Sequence, residues 1–325
     1  MTRRRSPMTS EATWSVVSVF GPDRSLLTHL DAIAAQTVRV VVVDDGTPAP
    51  DAEVFAALEE RDDVDLLRQP RNAGIAAALN RGIQAAFDGG ADRVVTFDQD
   101  SLPSADFVSG LSDEFDRATA RGVIDPAFVV PEFWATIRQV SRTAEDGTLI
   151  AIRTIQSGML LPRSTWERIG AMREEFFIDL VDEELELRAL SAGLAPIAAP
   201  GVALHHHLGA AYRRPLLSGG FRGSPLPPII TLSTPFRYYY RVRNRRVVNR
   251  MYGRRFPARL AAETFMEILH LVEVLRYARP RGPVWAAARR GWRDGRKGSA
   301  MGRVPAELEP GLRDVRWALE PVDRG

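Results

Sequence analysis

Three acidic clusters and a histidine run carry most of the chemistry open to this chain of 325 residues, because it contains no cysteine. Disulfides, zinc ribbons and thiolate nucleophiles are excluded, which leaves carboxylates, histidine, hydroxyls and arginine. Asp98-Gln99-Asp100 closes the apolar run RVVTF. Two carboxylates one residue apart at a strand end can both reach a divalent cation through oxygen, and Mg²⁺ or Mn²⁺ held in this way keeps positions open for phosphate oxygens. Asp44-Asp45-Gly46 follows VVVV, where an aspartate can accept hydrogen bonds from a base imide or a ribose hydroxyl. Arg71-Asn72-Ala73-Gly74-Ile75 opens a helix whose free N–H groups can face a phosphate or a base. Asp182-Glu183-Glu184 lies on an expected helix, and an ionised carboxylate entering the crevice there can deprotonate an acceptor hydroxyl. His205-His206-His207 at a strand end offers a third metal ligand or a phosphate donor, with at most two of the three on one side.

Each of these also has an ordinary reading. A bare D-x-D sits on many solvated loops, Asp-Gly is a common turn pair, RNAG serves as a plain helix start, and acidic helix faces are usually solvated. The histidine run reads equally well as an exposed edge-strand cluster.

The elements behind these residues change the balance. Strand signals at Trp14–Phe20, Val38–Val43, Val64–Leu67 and Arg93–Phe97 alternate with helical spacing at Leu26–Ala35, Ala52–Glu60 and Ile75–Phe87. Apolar, β-branched runs in β-α-β order predict an α/β fold with a Rossmann-like, mostly parallel open sheet, whose strand carboxyl ends carry the ligand. Three of those ends read GPD, DDG and DQD. Further on, a helix is expected over Ser104–Ala120, strands near Val129 and Ile152 and at Gly158–Leu161, and helices at Trp166–Gly170 and Val181–Ala189. Two more strands are expected at Leu194–Ala199 and Val202–His205. A Gly/Pro/Ser-rich loop, Pro215–Pro228, leads to helices at Phe236–Arg250, Pro257–Ala278 and Val284–Arg293.

The chain is 45% hydrophobic and 26% charged, enough to bury a core and unlike a disordered, collagen-like or polytopic membrane protein. No run approaches the roughly 18–20 apolar residues of a bilayer span, and the basic start lacks an apolar stretch behind it, so a cytoplasmic protein is expected. Its charge is segregated. Residues 236–303 hold 18 basic against 4 acidic residues, a local +14 within a chain of net +2. Such a segment predicts a polyanionic partner: nucleic acid, an anionic membrane surface or a phosphate-bearing substrate. Nucleic acid is disfavoured, since no helix-turn-helix, RNA-binding or zinc signature accompanies the charge. A nucleotidyltransferase is disfavoured too, for want of a Gly-rich basic loop near the first strand.

In order along the chain stand VVVDDG, RNAGIAAALNRGIQAA, VVTFDQDS, QSGMLLPRSTWERIG, FFIDLVDEELELRALSAG, HHHLG and STPFRYYYRVRNRRVV. Over roughly residues 14–303 this series resembles the family 2 glycosyltransferases of GT-A fold, and within them the bacterial rhamnosyltransferase branch. The resemblance implies an inverting transferase using Mg²⁺ or Mn²⁺, with dTDP-rhamnose or a UDP-sugar (galactofuranose, hexose or GlcNAc) as donor and a glycan or polyprenyl-diphosphate-linked acceptor. It implies that Asp44 reads the nucleobase, with Phe20, Asp45, Asn72 and Gly74 beside it. By the same resemblance Asp98 and Asp100 are expected to hold the metal, with Gln99 between them and His206 as third ligand, while Ser157 and Gly158 are expected to line the donor sugar. Asp182 is the implied base, supported by Glu184 and Arg188. Arg237, Tyr239, Arg243 and Asn244 are expected to contact the acceptor diphosphate or the membrane.

The sequence departs from the family pattern at Asp45 (usually Asn), Thr47 (Ser), Val19-Phe20-Gly21-Pro22 (T-Y-N-P), Leu185 (an aromatic) and Glu186 (Cys), and the departures at Phe20 and Asp45 touch the base site. The expected layout is a tail over 1–12, a GT-A domain over 13–214 with donor half 13–103 and acceptor half 104–214, a loop over 215–230, a basic helical region over 231–303 and a tail over 304–325. The basic helices, with Phe265, Ile268, Leu269, Val272 and Leu275 interleaved with charge, are expected to rest peripherally on the inner face of the cell membrane, on the domain itself or on a second copy.

Overall fold

The computed structural model describes residues 12–205, 210–215, 228–297 and 302–322. These form two compact units: the described residues up to 72 with 77–172 and 188–205, and a second of 73–76, 173–187 and the residues from 210 onward.

The first unit is built on one large sheet. Its strands are β1 (Thr13–Val19), β2 (Val40–Asp44), β3 (Val64–Arg68), β4 (Arg93–Asp98), β5 (Pro126–Trp134), β6 (Ile137–Arg138), β7 (Val140–Thr143), β8 (Leu149–Ala151), β9 (Met159–Pro162) and β10 (Ala195–Leu204). Helices α1 (Ser25–Ala34), α2 (Ala52–Glu59), α3 (Ile75–Asp88), α4 (Phe107–Arg121), α5 (Arg163–Ile169) and α6 (Val181–Ser191) lie between them in sequence, though 75–76 of α3 and 181–187 of α6 belong to the second unit. The spatial order is β3-β2-β1-β4-β9-β5-β10-β8-β7, with β6 beside β5. From β3 to β4 every pairing is parallel; β9 enters antiparallel between β4 and β5, and β10 runs parallel to β5.

The four valines of β2 are buried, with Val16, Val17, Val94, Val95 and Phe97 on the adjoining strands. Burial on both faces explains why these strands read as unbroken apolar runs. The chain order steps outward from β1 to β3 and then returns to place β4 on the other side of β1. Ligands of open α/β sheets collect at such a reversal.

Three local differences from the expected elements have plain causes. The two strands expected at Leu194–Ala199 and Val202–His205 are one, β10, whose register against β5 shifts between Ala199 and Ala203. Pro200 has no N–H to donate and Gly201 takes φ +74°, so the strand bulges instead of ending. β6 and β7 carry no apolar alternation because nearly all their residues are exposed. α4 starts at Phe107, later than the pattern suggested, and ends on Gly122 in the left-handed conformation.

The second unit holds α7 (Arg237–Tyr252), α8 (Pro257–Tyr277) and α9 (Gly282–Lys297). Its core gathers Tyr238, Tyr239, Tyr240, Val274, Val284, Ala287 and Phe177, with Phe177 stacked on Tyr240 at 5.0 Å. A Cβ on Gly291 of α9 would collide with the Tyr239 carbonyl, so these two helices meet backbone to backbone. The stretch read from sequence as a terminal tail is packed: Val304, Leu312 and Val315 are buried, and strand 320–321 pairs with 211–213, which also pairs with 229–231.

Candidate active site

The strand ends of the first unit form the first acidic cluster. Ser18 of β1 pairs with Val43 of β2 on one side and with Asp98 of β4 on the other, so the residues after all three strands emerge at one edge. Asp44 is buried, and its Oδ1 accepts from the Thr47 hydroxyl at 2.6 Å and the Thr47 N–H at 3.1 Å. The same hydroxyl oxygen accepts the Gly21 N–H at 2.8 Å, tying the β2 end to the β1 end. Asp45 Oδ1 accepts from Gln69 Nε2 at 3.0 Å. The exposed Phe20 gives its N–H to Gln99 Oε1 at 2.8 Å, and His29 Nδ1 meets the Gln99 carbonyl at 2.9 Å, so Gln99 braces the loop between the two aspartates of the D-x-D.

Behind Asp98 lies the segment before β9. Asp98 Oδ1 accepts from Gln156 Nε2 at 2.5 Å, and the Asp98 N–H donates to Ser157 Oγ at 3.1 Å, itself 2.7 Å from Ser101 Oγ. Gly158 takes φ +83°, and a Cβ there would come within 2.8 Å of Phe107. Glycine is therefore the residue that lets this turn pass. Gln156 is not singled out by the sequence, although it begins the QSGMLLP block; nothing in the residue type alone indicates that it holds the Asp98 carboxylate. Its Oε1, like Asn72 Oδ1, is a buried acceptor with no hydrogen-bond partner among the described residues. A buried acceptor left open at the ligand edge of a sheet suits a bound donor group.

Asp98 and Asp100 form an all-oxygen pair, with Asp98 half-buried and Asp100 exposed. Such a set fits a hard divalent cation that keeps most of its positions for water and phosphate oxygens. Among the described residues no group of three His, Cys, Asp or Glu side chains is placed to hold a metal. His206 and His207 lie outside the described residues; His205 is exposed and bridges backbone to backbone with Leu102.

The second unit carries the other acidic cluster, in the segment FFIDLVDEELE. Glu183 receives both terminal nitrogens of Arg245 at 2.6 Å. Glu184 accepts from the Tyr252 hydroxyl at 2.6 Å and from Arg173 at 3.1 Å. Arg259 donates to Glu186 at 2.5 Å. Asp179 is held by Arg237 at 2.5 Å. Asp182 differs from all of these: its Oδ1 accepts the Glu183 N–H at 2.9 Å, and no arginine pairs with it among the described residues. Burial, with smaller contributions from Asp179 and Glu186, pushes its pKa up to about 6. At neutral pH it is therefore an ionised carboxylate with appetite for a proton, as a general base must be.

The approach to Asp182 is an unusual piece of backbone. Phe177, Asp179 and Leu180 all take positive φ, 66°, 64° and 60°. Non-glycine residues there cost free energy unless their surroundings hold them. Asn244 supplies that hold: its Nδ2 donates to the carbonyls of Phe176, Ile178 and Asp179 at 3.1, 2.9 and 2.8 Å. Arg243 adds bonds to the Phe176 and Glu175 carbonyls at 2.7 and 3.1 Å, with a further one to the Gly302 carbonyl at 2.5 Å. Gly74 belongs to the same unit; at φ +96° its missing Cβ leaves room for Phe177, whose carbonyl would otherwise be 2.5 Å away.

These placements correct one expected role. The family resemblance assigns Arg243, Asn244 and Tyr239 to acceptor or membrane contacts, but all three are buried, and their donors go to backbone carbonyls, to each other and, for the Tyr239 hydroxyl, to Asp294 at 2.8 Å. They position the loop before the acidic helix. Arg237 remains partly exposed beside Asp179. Arg188 Nη1 donates to the carbonyls of Ile169 and Ala171 at 2.8 and 2.7 Å.

Comparison with known proteins bears on the family and the fold. The family model described as glycosyl transferase family 2 matches residues 16–177. The dTDP-rhamnosyl transferase RfbF of Shigella flexneri is 30% identical over 243 residues, 71% of this chain and 77% of that protein. The structure of S. aureus TarS 1–349 covers 92% of this chain and 82% of its own with a TM-score of 0.53 at 12% identity. That of GalNAc-T7 with UDP, GalNAc and Mn²⁺ covers 60% of this chain and 44% of its own, with a TM-score of 0.49 at 12% identity. The TarS likeness is one of fold alone, and that fold is GT-A with a helical C-terminal part.

Proposed function

The chain belongs to the family 2 glycosyltransferases, and on that premise we propose that it transfers L-rhamnose from dTDP-rhamnose, with inversion, to a hydroxyl of a cell-surface polysaccharide or lipid-linked glycan precursor. The observation that carries the donor choice is the 30% identity with a dTDP-rhamnosyl transferase over most of both chains. The observation that carries the mechanism is Asp182, the carboxylate of the acidic helix with no arginine partner among the described residues. Asp182 takes the proton of the acceptor hydroxyl as its oxygen bonds to the sugar carbon, and the bond to the nucleoside diphosphate breaks in the same displacement. Asp44, fixed by Thr47, and Asp45 receive the base and ribose; Asn72, Ser157 and Gln156 offer polar groups to the donor. Mg²⁺ or Mn²⁺ on Asp98 and Asp100 would supply charge to offset that of the leaving diphosphate.

The test is a screen of nucleotide sugars for nucleoside diphosphate release in the presence of lipid-linked glycan acceptors. Release of dTDP from dTDP-rhamnose, absent in Asp182→Asn, is expected. Turnover of a UDP-sugar in its place overturns the donor assignment, and release of pyrophosphate overturns the reaction class.

A further inference from the structure

Within the second unit, arginines divide into two populations. Most of those turned inward are matched with carboxylates, Arg214 with Glu273, Arg241 with Glu267, Arg245 with Glu183 and Glu263 and Arg259 with Glu186, while Arg243 binds backbone carbonyls. Those on the outside of α8, α9 and their connection, Arg276, Arg281, Arg289 and Arg293, are exposed and pair with no carboxylate among the described residues.

Between these cations lies apolar surface. Phe265, Ile268, Leu269 and Val272 recur at helical spacing along α8 and are 44–61% exposed. Trp285 and Trp292, two turns apart on α9, are 56% and 55% exposed. An apolar groove of about 430 Å³ joins the two stripes, walled by Ile268 and Leu271 of α8, Val242 of α7, and Trp285, Ala288 and Trp292 of α9. Leu275, counted in this stripe from sequence, instead packs on the unit's core, whereas the α9 tryptophans were not anticipated. Among the described residues no helix is long and apolar enough to cross a membrane.

We propose that this face of α8 and α9 docks on an anionic lipid bilayer, with Trp285, Trp292 and the α8 stripe entering the headgroup boundary and the unpaired arginines meeting lipid phosphates. Soluble chains rarely leave so many large apolar side chains together in water, and a patch of tryptophan and aliphatic residues ringed by cations is the pattern of an interfacial helix. Charge complementarity selects the occupant. A second copy docking through the same patch would set these arginines against their own images, which is repulsive, whereas an anionic leaflet neutralises all of them. The inference stands apart from the sugar-transfer reading.

The experiment is flotation of the full chain with phosphatidylcholine vesicles containing about 30 mol% phosphatidylglycerol, against pure phosphatidylcholine, at rising salt. Binding to the anionic vesicles alone, weakening with salt, is expected. Trp285→Ser with Trp292→Ser should lower partitioning at least roughly tenfold, and Arg281→Gln or Arg289→Gln roughly fivefold each. Thermal unfolding of these variants checks that the fold is kept, as exposed positions allow. Failure of the parent chain to float, or equal flotation of the well-folded tryptophan variant, overturns the proposal. So does sedimentation velocity showing a dimer that the tryptophan variant loses.

Discussion

The hydrogen bonds described for the two acidic clusters of this molecule differ in kind. At the strand ends, Asp44 is fixed by a hydroxyl and a peptide N–H of Thr47, Asp45 takes a hydrogen bond from the Gln69 amide and Asp98 one from the Gln156 amide. In and just before the acidic helix, Asp179, Glu183, Glu184 and Glu186 are each matched with an arginine. A neutral donor orients a carboxylate without cancelling its charge, as the Thr47 hydroxyl and N–H do for Asp44. Arginines cancel the charge and spend the lone pairs, which turns carboxylates into structure. Asp182 is the exception in the second cluster: it has no arginine partner among the described residues, and this is why the proposed reaction uses it as the base.

The strongest test of this division is Asp182→Asn. Turnover should fall by roughly 10²–10⁴-fold with donor affinity little changed, since the amide keeps shape and loses basicity. In the parent enzyme, activity should decline below about pH 6 as Asp182 takes up its proton. Stability should move the other way. Because the folded pKa is raised, the native state binds the extra proton between about 4 and 6, and stability drops as pH rises through that window. Replacing the ionised group at neutral pH should therefore stabilise the fold by about 1–2 kcal/mol, read as a higher Tm. An unchanged turnover in Asp182→Asn would mean that the unpaired carboxylate is not the base.

The strand-end cluster is probed next. Asp98→Asn keeps the Gln156 contact within reach but removes half of the carboxylate pair, and activity should drop by roughly 10²–10³-fold. Excess EDTA should abolish turnover of the parent enzyme and Mg²⁺ or Mn²⁺ should restore it; full turnover under chelation would show that this pair serves another purpose.

Much of this arrangement was legible in the sequence and some of it was not, for physical reasons. The valine runs announced the sheet because burial on both faces leaves little choice of residue, and the D-x-D drew attention because it follows such a run. The acidic helix was equally visible, yet which of its carboxylates stays unpaired depends on Arg245, Tyr252 and Arg259, more than sixty residues away in sequence. The RYYYRVRN segment misled for a related reason. Arginine and asparagine next to tyrosines look like phosphate contacts in one dimension, whereas burial turns Arg243 and Asn244 toward backbone carbonyls. No periodicity reports that an interior helix will be lined with polar groups whose partners lie in a left-handed loop.

That loop gives a smaller effect that separates positioning from chemistry. Asn244→Ala removes three hydrogen bonds from the carbonyls before Asp182 and should destabilise the protein by about 1–3 kcal/mol. The relaxed loop should also slow turnover, while the acid limb near pH 6 should persist, because the base itself is intact. Loss of that limb would make Asn244 part of the titrating group's own environment.

The smallest expected effect lies at Asp44. Thr47→Val keeps the shape of the turn and deletes the hydroxyl that bonds Asp44 Oδ1 at 2.6 Å, leaving the longer peptide N–H contact at 3.1 Å. It also strips the Gly21 N–H of its acceptor, loosening the tie between the β1 and β2 ends. A neutral hydrogen bond of this kind contributes about 0.5–1.5 kcal/mol, which corresponds to a roughly two- to tenfold weaker donor Kd. Turnover at saturating donor should stay near that of the parent, since neither Asp182 nor the Asp98 pair is touched. The measurement is nucleotide binding by calorimetry beside kcat. A loss confined to kcat would mean that Asp44 acts in the chemical step, and the division between a cluster that binds and a residue that reacts would have to be redrawn.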